Sequence, residues 1–204
     1  MERYVDSTAA AEAEVAVIER VRLILLLSQA YFFFTLALCL VLYHAAIVEN
    51  EGISFYGVYH VTLPFLVVGF LVAFAGLWRS AAYLERTSAP TLVPAAMRAL
   101  AVGLFVLLAT PFNEGTYLNW AHMIAGVTLA LIQAAITITL LTRWRSFGSV
   151  TASSVQLLGG VIAAASLPDW HFEYLLQGET IYQIGFAWCM IEWTNALKER
   201  RFAS

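Results

Sequence analysis

The amino-acid sequence predicts an all-α membrane protein, a bundle of six transmembrane helices that pair as three helical hairpins. Three observations predict it. Of 204 residues, 61% are hydrophobic and 12% charged, where soluble domains carry roughly 25% charged residues. Mean hydropathy is +0.75. Six apolar runs come close to or exceed the roughly 20 residues a helix needs to cross a bilayer. All eleven Lys and Arg fall at the chain ends or in alternate connections between those runs.

Residues 1–22 form a predicted cytoplasmic tail. The stretch is acidic and Ala-rich, with Asp6, Glu12, Glu14 and Glu19. It lacks the basic start and short apolar core of a secretory signal, and suits a short helix or a frayed tail equally. The transmembrane domain covers 23–197, with spans at 23–48, 59–82, 94–112, 119–142, 149–168 and 179–197. Pro64 and Pro111 fall near helix ends, where a missing donor is tolerated. Pro90 and Pro94 bracket the start of the third span, and Pro168 follows the fifth. A short cytoplasmic tail, 198–204, closes the chain.

The positive charges set the orientation. Arg3, Arg20 and Arg22 precede the first span, and Arg79, Arg86 and Arg98 belong to the connection between spans 2 and 3. Arg143 and Arg145 join spans 4 and 5, and Lys198, Arg200 and Arg201 follow the sixth. Cytoplasmic loops retain Lys and Arg, so both termini of a multi-pass cell-membrane protein are expected in the cytoplasm. Arg98, one turn inside its span, should snorkel to the boundary. Trp78, Trp144 and Trp193 near one boundary and Trp120 and Trp170 near the other match an aromatic belt. Net charge is −3, which leaves no basic footprint for nucleic acid. Cys39 and Cys189 lie in apolar runs, where thiols behave as small hydrophobes.

The fifth span is rich in small residues: Ala152, Ser153, Gly159, Gly160, Ala163 and Ala164. Close backbone approach holds helices together in lipid. This face is expected to pack centrally, or against a second copy or another membrane protein.

The outer connections carry the chemistry. The first contains Glu49-Asn50-Glu51-Gly52, Ser54, Tyr56 and His60; the second Asn113-Glu114-Gly115, Tyr117, Asn119 and His122. The third contains Asp169-Trp170-His171 and Glu173, then Glu179. All four histidines, including His44, lie at this level. Two Asn-Glu-Gly turns, each followed by a His, suggest a duplicated hairpin, although Gly turns and Asn or Glu capping explain the tripeptide alone.

On the fourth span Asn119, His122, Gly126, Gln133 and Thr137 share one face by the 3.6-residue period. On the sixth, Glu179, Gln183, Met190 and Thr194 form a similar stripe. Polar stripes avoid lipid. Together they outline an outward polar pocket of Glu51, His60, Glu114, Asn119, His122, Gln133, His171, Glu179 and Gln183. No cofactor is predicted. Imidazoles with carboxylates could hold a divalent metal such as zinc or relay protons, but no HExxH spacing is present. Glu192 reads as a boundary carboxylate, with Arg98 or Arg22 as its alternative partner.

Six spans, cytoplasmic termini and a first outer loop reading Ile53-Ser54-Phe55-Tyr56-Gly57 resemble the DRAM-like and Sfk-like superfamily of six-helix integral membrane proteins. The likeness covers the whole chain in topology and that loop in motif. The Glu49-Asn50-Glu51 segment stands where the eukaryotic pattern has a longer loop. The resemblance implies a role in membrane lipid organisation and carries over no catalytic residue.

The expected function is therefore a non-catalytic polytopic membrane protein: a lipid-associated scaffold, a regulator or a complex subunit, with membrane lipids as partners. The alternatives are an outward-facing metal-dependent lipid hydrolase built on the His/Glu cluster and a small-solute or proton-coupled transporter. A hydrolase needs at least three converging ligands and a water position. A transporter needs helices broken near the midplane, and these spans are mostly unbroken.

Overall fold

A computed structural model of the chain describes residues 2–44, 49–112, 114–167 and 172–203, the first nine and last four of these by backbone alone. Asn113, Asp169, Trp170 and His171 lie outside the described residues. The described chain is all-helical, without a strand. Six α-helices span Glu2–Leu42 (α1), Leu63–Leu84 (α2), Leu92–Ala109 (α3), Thr116–Arg143 (α4), Phe147–Ala165 (α5) and Leu175–Ala203 (α6), with a 3-10 turn at Ile53–Gly57.

Five helices are long and apolar enough to cross a membrane: Ala11–Leu42 of α1, and α2 to α5. The sixth, the expected span 179–197, is not, because Gln183, Glu192 and Asn195 interrupt its apolar residues. It lies against α1, α4 and α5, with Phe186, Met190, Trp193 and Thr194 buried.

The first helix is longer than its apolar run. Residues 2–22 are rich in Ala and Glu, strong helix formers, and no Gly or Pro interrupts the first 51 residues. The helix therefore runs unbroken through residue 22 and ends at Leu42. At 1.5 Å per residue it is about 60 Å long, twice the hydrocarbon thickness. Its early part is tied down by Glu14, which accepts from the Ser88 amide at 2.8 Å and the Ser88 hydroxyl at 2.7 Å.

Each helix packs on the next, and α6 returns to α1, so the six close on themselves. The tightest pair is α5 with α6. Gly159 lies against the Tyr182 backbone, Gly178 against Ala163 and Gly185 against Gln156. A Cβ at any of the three would meet main-chain atoms of the other helix. The small residues around Gly159 thus pack within the chain, while Ala164 on the same helix is exposed. At one end the arginines gather. Arg98 forms two 2.8 Å bonds to Glu85 and lies over the Trp78 ring. Glu19 pairs with Lys198 and Arg22. Glu192 rests beside Gly148 at the start of α5 and accepts from the Trp188 indole; the two arginines considered for it are paired elsewhere. The opposite end is closed by residues 49–62 and is termed the capped end.

Candidate functional site

The cap begins with Asn50 in left-handed backbone, φ 53°, a conformation Asn tolerates better than most residues. There its side chain bridges two helix ends. Nδ2 donates to the Ser166 carbonyl at 2.9 Å after α5, and Oδ1 accepts from the Leu175 amide at 3.0 Å, the first residue of α6. Both partners are orphan groups of helix termini. One turn into α6, Glu179 accepts from the Ile53 amide at 2.6 Å. The 3-10 turn that follows drives Tyr56 into the bundle, where it is fully buried. Burial pushes its phenol up to about 12. Thr62 holds the far side of the turn by donating to the Tyr56 carbonyl at 2.6 Å.

His122 supplies a third tie. Proline disfavours helical backbone in the residue before it, so Pro111 ends α3 and turns Thr110 to φ −119°, ψ 74°. The Thr110 carbonyl accepts from His122 Nδ1 at 2.6 Å. The other ring nitrogen, Nε2, stands 2.7 Å from Ser54 Oγ. A carbonyl can only accept, so in the neutral ring Nδ1 carries the hydrogen and Nε2 offers its lone pair to the serine hydroxyl. Beside this pair lies a cavity of about 60 Å³, walled by Leu66, Phe70, Leu107 and Phe112 with Ser54 and His122 among its lining.

The sequence-predicted pocket residues separate into three groups. His122 and Glu179 hold the cap from opposite sides. Gln133 and Gln183 lie deeper, each amide facing the other: Gln133 Nε2 donates to Gln183 Oε1 at 3.0 Å and the reverse contact is 3.4 Å. Thr137 continues that seam by donating to Gln156 at 2.5 Å, so the α4 stripe faces the bundle. The remaining residues stand apart. His60 and Glu114 are exposed, and Asn119 is half-buried on the first turn of α4. Glu51 is half-buried in the cap, its carboxyl held above the usual range by burial and then by Glu49. His171 lies outside the described residues. Among the described residues, no three His, Cys, Asp or Glu side chains are placed to hold a metal ion.

No protein-family model, no curated protein and no solved structure matches this chain.

Three residues of this site were not among the predicted pocket residues. Asn50 carried a signal, since Asn before Glu-Gly suits left-handed backbone. Thr110 also carried one, because a residue preceding proline at a helix end turns its carbonyl outward. Ser54 carried none. Its partner is 68 residues away, and no local spacing links them.

Proposed function

We propose that this chain is an integral membrane protein of six crossings with both termini in the cytoplasm, acting at the outer leaflet as a lipid-associated scaffold or complex subunit. The observation that carries this reading is the cavity at the capped end. It has apolar walls and a polar edge, at the level where the helices give way to loops. Such a boundary suits the part of a lipid where chain meets headgroup. The retention of all arginines and lysines at the other end supports the orientation. Packing of α6 against α1 and α5 supports a sixth crossing, because Thr194 is buried and Gln183 is paired with Gln133. The DRAM-like and Sfk-like resemblance belongs to the same proposal.

Two measurements test it. Cys39 and Cys189 are buried, so single reporter thiols at Glu114→Cys and Arg86→Cys can be read against them. An impermeant maleimide should label residue 114 in intact cells and residue 86 only after permeabilisation; the reverse pattern overturns the orientation. In nanodiscs, phosphatidylcholine with a photoreactive group beside its glycerol should crosslink to Leu107 or Phe112. Crosslinks scattered evenly over the lipid-facing helices would remove the lipid-association reading.

A further inference from the structure

We infer that Ser54 and His122 form an acyl-transfer pair that cleaves carboxylic esters at the capped end. The inference rests on the lipid-facing reading of that end and adds chemistry to it. Its basis is the order of contacts. A serine hydroxyl lies 2.7 Å from His122 Nε2, and Nδ1 of the same ring is held at 2.6 Å by a carbonyl. An activated nucleophile has this signature: nucleophile and base in hydrogen-bond reach, and the base oriented by a third group. Here the main-chain oxygen of Thr110 is the orienting group. It selects the ring form whose lone pair faces the hydroxyl, which is the form a general base requires. Pro111 is what frees that oxygen from the helix.

The surroundings suit an ester better than a purely structural strut. Ser54 does not need His122 to hold its turn, because Glu179 bonds the residue before it and Thr62 the carbonyl two residues after. The pair is part-buried and lines a cavity whose other named walls are hydrocarbon. At about 60 Å³ the space holds a few water-sized groups, since one needs about 10–15 Å³ of such volume. It therefore accepts the carbons next to an ester carbonyl rather than a whole chain. A longer chain would continue over the exposed Leu63, Val68 and Val106 side chains of α2 and α3. Short-chain esters and outer-leaflet lipid esters share this chemistry.

The reaction balances with water as the one co-reactant. Ser54 Oγ bonds to the carbonyl carbon while its proton passes to His122 Nε2. The bond from carbon to the alcohol oxygen breaks, and the imidazolium returns the proton to that leaving oxygen. Water then attacks the acyl-serine and gives a proton to Nε2. The carboxylic acid leaves, and the proton returns to Ser54 Oγ.

The test uses the full chain in nanodiscs with a fluorophosphonate probe. We expect a phosphonyl adduct on Ser54, mapped by peptide mass spectrometry. His122→Gln keeps a hydrogen-bonding side chain but cannot serve as the base, so labelling should fall at least ~100-fold, with the melting temperature confirming that the variant is folded. Hydrolysis of 4-nitrophenyl butyrate alone would assign short esters; release of fatty acid from phosphatidylcholine would assign lipid. A wild-type protein with no Ser54 adduct, or labelling at the same rate in folded His122→Gln, overturns the pair. Lipid crosslinks that persist without an adduct would remove the chemistry and leave lipid association standing. An adduct without lipid crosslinks would do the reverse.

Discussion

Gly52 sits in extended backbone, φ −85° and ψ 179°, with the Glu179 carboxylate packed against it. Gly115 closes the same tripeptide in the second connection, yet it sits at φ 110° with nothing within 4 Å of where a side chain would begin. The first Asn-Glu-Gly turn feeds a segment that folds back into the bundle, and its side chains bind α5 and α6. The second precedes α4, and its described residues, Glu114 and Gly115, are exposed. The histidines behind them differ in the same way. His122 is engaged on both ring nitrogens, whereas His60 is exposed. A local motif sets what backbone is permitted. Which side chains come within reach is decided by the helices around it.

The largest difference should appear at Asn50. Asn50→Ala removes the bonds to Ser166 and Leu175, and leaving such groups unpaired costs about 1–3 kcal/mol. Alanine in left-handed backbone adds about 1–2 kcal/mol. Glu114→Ala in the other turn should stay within about 0.5 kcal/mol, as exposed substitutions do. Thermal unfolding in detergent compares the two. Equal melting temperatures would mean that the cap is not held as described. Asn50→Gly separates the causes, since it restores the backbone without the bonds.

The elements that were legible are those whose physics is local. Apolar runs of membrane length placed α1 to α5, and the 3.6-residue stripe of Gln133 and Thr137 placed one face of α4 toward the bundle. The start of α1 was harder, because Ala and Glu favour helix whether or not anything covers it. The first helix ends at Leu42, and residues 45–48 of the expected first span lie outside the described residues. The site was legible by residue type and not by partner. Glu179 and His122 stood out as polar groups in apolar company, but their partners, the Ile53 amide and Ser54, are 126 and 68 residues away. The packing of α6 on α1 and α5 brings the first pair together, and the packing of α4 on α3 and of α3 on α2 the second.

The two glycines offer a finer comparison, because one substitution should act through different causes. Gly115→Ala places a side chain in a region essentially confined to glycine, at a cost of about 1–3 kcal/mol. At Gly52 the backbone suits any residue, but a Cβ would lie 2.8 Å from a Glu179 carboxylate oxygen. Glutamate would have to swing away and release Ile53, costing about 1 kcal/mol for the lost bond. Gly52→Ala should therefore add little once Glu179→Ala is present, whereas Gly115→Ala should add its full cost. Residues in contact couple by at least about 0.5 kcal/mol, and distant ones do not. Full additivity in both double variants would break the link between Gly52 and Glu179.

The smallest effect belongs to Glu51, and its sign follows from the cap. Burial, then the neighbouring Glu49, raises the Glu51 carboxyl above its ordinary value. A group whose pKa is higher in the folded chain binds its proton more tightly there. Its contribution is present below the ordinary carboxylate range and is lost as pH rises through the raised value. At pH 7 the charge therefore weighs against the cap, and Glu51→Gln should raise the melting temperature slightly. Below about pH 4, where the carboxyl is protonated in either state, the gain should vanish. A Glu51→Gln gain of equal size at both pH values would trace the effect to the amide itself and not to the buried charge of the first turn.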